Sequence, residues 1–465
     1  MRTYEAIDRD LLNKVRKLHF VGIGGSGMCP MAEILFGQGY TITGSDMNEG
    51  DTLDRIKSYG IEVHMGHAAE NIGDAECVVY TAACKQDNPE LVAAREKGIP
   101  TLERSEMLGL LTDRFDNCIG ISGTHGKTST TGMTTQILLA AGEDPSCVIG
   151  GKLPLIGGNG RFGKTGNMVV ESCEYVDSFL TMHPAVSVIL NIDADHLDYF
   201  GTLDNIIASF RQFCMQTSRR IIVNADDKNA MKAVEGITHA EIITFGSTED
   251  CDYYCGELID GVRAAESFTI FHKGEKLTRV NLKVPGAHNM MNAMAAAAAC
   301  LSMGVSPEAV KEGLEGFGGV HRRFEVLGKF DGVTVADDFA HHPTELRAVL
   351  TAASKMGYHA VWAVFQPHTY SRTALLFDDF VDVLKIPEHV VMTEILAVRE
   401  TNTYNIYTSD LEAQIPGSCH FGSFDEIADY VMGKVQENDL ILTIGGGDIY
   451  KCANLIVEKY KALGK

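Results

Sequence analysis

Two glycine-rich turns constrain this chain more than any other feature. "FVGIGGSGM" at 20–28 and "ISGTHGKTST" at 121–130 each follow a short apolar run and precede a helix-forming one. A glycine turn between strand and helix lets the backbone approach an anion at the helix N-terminus, where unpaired N–H groups and the helix dipole favour negative charge. The surroundings of the first turn agree: "KLHFVG", "YTITGSD", "ECVVYT" and "IPTLE" alternate with "MAEILFGQ", "TLDRIKSYG" and "PELVAAREKG". That alternation of strand and helix builds a doubly wound sheet.

A polar segment, "LTDRFDN" at 111–117, leads into a second series, which opens with "CIGISG" and a helix from about Lys127 to Ala141 closed by Gly142. It continues through "NMVVES", "AVSVILNID", "RRIIVNAD" and "EIITFG", a hairpin-like region at 251–284 and the alanine-rich helix "NMMNAMAAAAACL". Glycines gather again in "GLEGFGGVHRRFEVLGKFDG", marking a second hinge near 316–331. Beyond it, "GVTVADD", "HAVWAVFQ", "HVVMTEI" and "DLILTIGGGD" give a third α/β unit. At 465 residues the chain has room for three domains. The expected class is α/β: an N-terminal Rossmann-like domain over 1–112, a central P-loop ATPase-like domain over 113–320 and a C-terminal Rossmann-like domain over 321–465.

The formal charge of -22 argues against a nucleic-acid or anionic-membrane partner, which an acidic protein without a basic patch would repel. Apolar segments fall short of the roughly 20 residues that span a bilayer, and the charged N-terminus has no secretory h-region. A cytoplasmic location is expected. The 12 cysteines are scattered without C-x-x-C spacing, which suggests neither a zinc ribbon nor a disulfide framework.

In the first turn Gly22, Gly24 and Gly27 form G-x-G-x-x-G, and Asp46 ends the next strand. This is the context of a dinucleotide fingerprint, yet glycines alone do not separate a nicotinamide cofactor from another nucleotide diphosphate. The second turn departs from the common P-loop, with Ile121 where a glycine would stand, and is spaced Gly123, Gly126, Lys127, Thr128. Backbone amides there can cradle phosphates while Lys127 neutralises them and Thr128 reaches a magnesium ion. Two acidic strand ends follow, Glu171 in "MVVES" and Asp193, Asp195 and His196 in "VILNIDADHLD". Carboxylates at such strand ends are normal ligands of a divalent ion on phosphate oxygens. His196 by itself reads more readily as a hydrogen-bonded structural residue, since magnesium prefers oxygen and manganese accepts imidazole more easily.

In order from about residue 17 to 450, "HFVGIGGSGM", "GTHGKTSTT", "NIDADHLDYFG", "VPGAHNMMNA", "GVHRRFE", "DDFAHHPTE" and "FQPHTYSRT" resemble the Mur ligases of bacterial peptidoglycan synthesis. The resemblance implies that two turns serve two nucleotides. Gly24, Ser26 and Gly27, with Asp46, would face a UDP-sugar. Gly123, Thr124, His125, Gly126, Lys127, Thr128 and Ser129 would wrap the ATP phosphates. Thr128 and Glu171 would hold one metal and Glu171 and His196 a second, magnesium in each case with manganese as the alternative. His288, Asn289 and Asn292 match an adenine-side motif, Arg323 would reach the phosphates and Asp338 the ribose. His341 and His342 would lie near the reacting centre, and Arg372 on the amino acid's carboxylate.

The implied reaction is ATP-dependent ligation of L-alanine to the lactyl carboxylate of UDP-N-acetylmuramate through an acyl phosphate. His341 or His342 would accept the amine proton, and the third domain would close over the site to exclude water. This sequence departs from the family pattern at Cys173, where an aspartate is common, at Thr369 and Ala287, where arginines are frequent, and in "GGGDI". Three other readings stay open: a ligase that attaches a preformed tripeptide to the same UDP-sugar, a nicotinamide-dependent oxidoreductase, and a nucleotide-binding regulator without turnover.

Overall fold

The N-terminal alternation becomes a five-stranded parallel sheet in this computed structural model, which describes residues 7–260, 265–398 and 400–464. Its strands are β1 (Lys17–Val21), β2 (Thr41–Asp46), β3 (Glu62–Met65), β4 (Cys77–Tyr80) and β5 (Thr101–Glu103), in the order β3-β2-β1-β4-β5. Strand order reverses at β1, where ligands bind in open α/β sheets. Val21 stands opposite Ser45 on one side and Tyr80 on the other, so the first glycine turn and Asp46 emerge at one edge. Helix α1 (Cys29–Gly37) follows the turn, and α2 (Arg104–Thr112) follows β5.

The second sheet has ten strands: β6 (Asn117–Ser122), β7 (Ser146–Leu153), β8 (Gly158–Arg161), β9 (Asn167–Glu171), β10 (Val186–Ile189), β11 (Arg220–Asn224), β12 (Glu241–Gly246), β13 (Tyr253–Asp260), β14 (Ala265–His272) and β15 (Glu275–Pro285). Residues 261–264 of the hairpin-like region lie outside the described residues. β6 lies between β10 and β9, parallel to both, while β8 pairs antiparallel with β7. Buried runs such as Val186–Ile189 fit strands covered on both faces.

Helix α3 (Lys127–Ala140) leaves the second glycine turn and is buried from Thr128 to Leu138 despite its threonines. The hydroxyls of Thr131, Thr134 and Thr135 each donate at 2.8 Å to the carbonyl four residues back, so burial leaves those groups satisfied. Helix α4 (Ala287–Ser302) buries Ala293 to Ala299 completely, and Cys300 packs on the Thr134 carbonyl of α3.

The third sheet contains β16 (Glu325–Phe330), β17 (Val333–Asp338), β18 (Val361–Phe365), β19 (His389–Thr393), β20 (Cys419–Phe421) and β21 (Leu440–Ile444), in the order β16-β17-β21-β18-β19-β20. Only β16 runs antiparallel to its neighbour among the pairings described. Asp338 and Phe365 both stand opposite Ile444, which sends the loops after β17, β18 and β21 to a common edge. Helices α5 (Pro343–Ser354) and α6 (Tyr370–Leu375) begin beyond the first two.

By its contacts the chain divides into two compact units. Met1–Gly256, Thr269–Arg279 and Asn292–Gly316 form one; Glu257–Phe268, Val280–Met291 and Phe317–Lys465 form the other. The cysteines are all free, and among the described residues no helix is long and apolar enough to cross a membrane.

Candidate active site

At the first turn, Gly22 takes a left-handed φ of 80°, and the amides of Gly22 and Ile23 donate to the Ser45 carbonyl at 2.8 and 3.1 Å. Asp46 accepts from the amides of Gly24 at 2.9 Å and Asn48 at 3.0 Å, so its carboxylate fixes the turn as well as facing the space beside it. That space is a cleft of about 830 Å³ lined by Gly22, Gly24, Asp46, His67, Thr81 and Asn88. His67 was not legible in the motifs; its Nδ1 lies 3.2 Å from Glu90, a buried carboxylate that also accepts from Ser45 and Asn71. The Ser26 carbonyl accepts from Asn159 Nδ2 of β8, which joins the turn to the second sheet.

At the second turn, Gly123 and Gly126 have φ of 148° and 87°, conformations that glycine adopts without strain. The Thr124 amide donates to the Asn191 carbonyl at 3.0 Å and the His125 amide to Asn191 Oδ1 at 2.8 Å. Asn191 therefore clasps the front of the turn, a role that "NID" did not reveal. The amides left for an anion are those opening α3, at Lys127, Thr128 and Ser129, which have no intrahelical acceptors. A Cβ on Gly126 would run into the Asn292 amide, which places Asn292 directly against the turn. His125 Nε2 lies 3.3 Å from Asp193.

Lys127 Nζ donates to the Gly123 and Thr124 carbonyls at 2.5 and 3.0 Å and pairs with Glu174 at 2.8 Å. Burial opposes its charge most strongly, but Glu174, with Cys173 and Glu171 adding to it, holds the ammonium above its ordinary range. Glu171, opposite Ile121 in the sheet, accepts from Thr128 Oγ1 at 3.0 Å and from the Gly150 amide at 2.6 Å. Thr128 and Glu171 thus form a pair of oxygen donors of the kind magnesium takes. His196 has a left-handed backbone, its amide bonded to Asp195 and its ring 4.5 Å from that of Tyr175. Burial pushes the Cys173 thiol up to about 11, so this departure from the aspartate pattern contributes no charge near neutrality.

In the other unit, Asp338 accepts from the amides of Phe324 and Ala340, each at 2.7 Å. Burial raises its carboxyl to about 6 against the pull of Arg323. Arg323 lies over the Phe339 ring at 5.4 Å, whereas its neighbour Arg322 is committed to Asp337 and the Gly445 and Gly447 carbonyls. His288 is pulled down to about 4 by burial, with Arg323 adding to the effect, and Asn289 donates to the Pro285 carbonyl at 2.7 Å.

The two adjacent histidines differ. His342 caps α5, its Nδ1 accepting from the Thr344 amide at 3.3 Å. His341 Nδ1 donates to the Phe339 carbonyl at 3.0 Å, an assignment that leaves its Nε2 as the basic nitrogen. The His341 ring lies 5.4 Å from that of His368, whose carbonyl accepts from Arg372 at 2.9 Å. Thr369, at a position where an arginine is frequent in the family, donates instead to Glu400 at 2.6 Å.

Comparison with known proteins gives this arrangement its family. The profile of the Mur ligase family catalytic domain matches residues 17–116, that of the Mur ligase middle domain 121–300, and that of the Mur ligase glutamate ligase domain 322–447. The UDP-N-acetylmuramate–L-alanine ligase of Acetivibrio thermocellus is 41% identical over 453 residues, covering 96% of each chain. That of Agathobacter rectalis is 43% identical over 95% of this chain and 98% of its own. The chain belongs to the Mur ligase family. Among solved structures, the UDP-N-acetylmuramate-alanine ligase of Thermotoga maritima superposes with a TM-score of 0.81 at 29% identity, covering 96% of this Mur ligase and 99% of that chain. A murein peptide ligase from Psychrobacter arcticus, at a TM-score of 0.72 and 23% identity over 96% of this chain and 98% of its own, shares the fold. The three-domain α/β architecture expected from the sequence is thus that of the Mur ligases.

Proposed function

We infer that this chain joins L-alanine to the lactyl carboxylate of UDP-N-acetylmuramate, with ATP as phosphoryl donor, in the cytoplasmic synthesis of peptidoglycan precursor. The observation that carries the reading is a match over 96% of the chain to a relative named for that ligation.

A carboxylate resists attack by an amine because its leaving group would be oxide. Transfer of the γ-phosphoryl group from ATP gives an acyl phosphate, from which the amine displaces phosphate through a tetrahedral intermediate. Lys127 and the first amides of α3 bind and stabilise the charge on the transferring oxygens. Thr128, Glu171 and His196 would hold magnesium, which neutralises phosphate charge when bound. Gly24, Ser26 and Gly27 let the backbone approach the diphosphate of the UDP-sugar, while His288, Asn289, Asn292, Arg323 and Asp338 serve ATP. Arg372 holds the carboxylate of L-alanine. His341 accepts the amine proton, because its Nδ1–H is bound by a carbonyl and its Nε2 carries the lone pair; His342 uses Nδ1 as a helix cap.

Phosphate release tests the reading, with purified enzyme, ATP, magnesium and UDP-N-acetylmuramate supplied separately with L-alanine, L-serine, glycine and L-alanyl-γ-D-glutamyl-diaminopimelate. L-Alanine should give the highest kcat/KM. Turnover with the tripeptide alone would make the chain a recycling ligase, and no ADP with any amine would refute ligation.

A further inference from the structure

The first glycine turn ends against a cation to which neither the motifs nor the comparisons give a role. A Cβ built on Gly27 would meet Arg104, with Cδ at 2.8 Å, Nη1 at 3.2 Å and Nε at 3.4 Å. The guanidinium therefore lies against the turn, in space that a side chain at 27 would fill. Arg104 opens α2, whose start is fixed by a capping box between Glu103 and Glu106 and by the Ser105 carbonyl accepting from Thr181 at 2.7 Å. Its backbone is well anchored; its charge is not. Among the described residues the half-buried Arg104 guanidinium makes no hydrogen bond or ion pair. Arg55 provides the contrast, since its donors are committed to Glu33 and to the Gly157 and Gly160 carbonyls.

A guanidinium carries five donors in a planar fork suited to carboxylate or phosphate oxygens. Position narrows what that anion is. The cleft beside Gly22, Gly24 and Asp46 has room for a nucleoside, and Gly27 lies further along the same turn. The residue before it is tied to β8 through Asn159, so this end of the turn adjoins the second sheet. A UDP-sugar laid along the turn presents first its diphosphate and then its lactyl acid.

We propose that Arg104 is a substrate-anchoring residue whose guanidinium binds acidic oxygens of the UDP-sugar beside Gly27. This rests on reading the first turn as the UDP-sugar site.

Calorimetric titration of the full chain with UDP, UDP-N-acetylglucosamine and UDP-N-acetylmuramate tests it. UDP carries the diphosphate alone, UDP-N-acetylglucosamine adds a sugar without the lactyl acid, and the substrate carries both. Arg104→Gln should weaken UDP-N-acetylmuramate roughly 10- to 100-fold, the scale of a charge-assisted hydrogen bond. Arg104→Lys should recover part of the loss and serves as the test variant if the glutamine form does not fold. Weakening of all three ligands assigns the diphosphate, and weakening of UDP-N-acetylmuramate alone assigns the lactyl carboxylate; either supports the proposal. Unchanged Kd values, with only a lower thermal midpoint, would overturn it and leave Arg104 a packing residue. Failure of the wild type to bind any of the three would overturn the reading of the turn as well.

Discussion

Lys127 is held by three acceptors of its own neighbourhood: two turn carbonyls and the buried Glu174. To serve phosphate it must exchange at least the carbonyls for phosphate oxygens, while Glu174 keeps it charged. Lys127→Ala should lower kcat roughly 10²–10³-fold or more, as expected when a donor to developing charge is lost. It also leaves Glu174 buried and unpaired, so the thermal midpoint should fall. Lys127→Ala combined with Glu174→Gln should regain that midpoint without regaining turnover; alanine-dependent phosphate release near normal in Lys127→Ala would refute the assignment. A second residue-scale expectation concerns acid. His288 titrates at about 4 when folded because burial disfavours its charge, and near 6.5 when unfolded. The unfolded chain therefore binds more protons between these values, and the stability contributed by neutral His288 is complete above pH 6.5 and lost as pH falls towards 4. His288→Gln should flatten that part of the curve of melting temperature against pH, and an unchanged acid limb would count against it. Lys127, Thr128 and Glu171 were legible because they stand in motifs that place the first two at the opening of a helix and the third at a strand end. Arg104, Asn159, Asn191 and His67 were not, since each matters only through a neighbour distant in sequence.

At the scale of elements, the turn before α3 depends on a residue without a side chain. Gly126 sits at φ 87°, where an L-residue costs roughly 1–2 kcal/mol, and a Cβ there would strike Asn292. Gly126→Ala should lower the melting temperature and raise KM for ATP, measured by coupled ADP release. Adding Asn292→Ala should relieve the steric part of the melting loss but not the backbone part. A Gly126→Ala enzyme with wild-type KM and melting temperature would show that the turn tolerates another conformation. Long elements were the easiest to read: α3, expected from about Lys127 to Ala141, runs Lys127–Ala140, because its cap and closing glycine are local signals. Short or glycine-rich strands escaped. β3 is four residues long and mostly exposed or half-buried, with no apolar run to mark it. β7 and β8 contain or flank "GGKLPLIGGNG", which reads as loop; they are strands because β7 pairs with β9 and β8 with β7, contacts that no local pattern encodes. β16 lay inside the expected hinge, since its alternation of exposed and half-buried residues is that of an edge strand.

For the whole molecule, the covalent order and the compact units do not coincide. Segments Glu257–Phe268 and Val280–Met291 belong with the C-terminal residues, although an expected boundary at 320/321 would assign them to the central domain. Helix α4 carries the division within itself, with Asn289 on one side of it and Asn292 on the other. The apolar core of the third sheet is nonetheless supplied from within 317–465. One face is built by residues such as Leu346, Phe365, Phe380 and Leu442, the other by Val335, Trp362, Ile441 and Ile456. A sheet with both faces covered by its own segment meets the usual condition for independent folding. A fragment of residues 317–465 should therefore melt cooperatively by circular dichroism, at a lower temperature than the intact chain because it lacks 257–268 and 280–291. Adding back residues 280–291 as a peptide should raise that midpoint. A fragment without a cooperative transition would mean that the segments borrowed from the middle of the chain are needed to complete this fold, and that the unit cannot be cut at 316/317, the start of the hinge the sequence suggests.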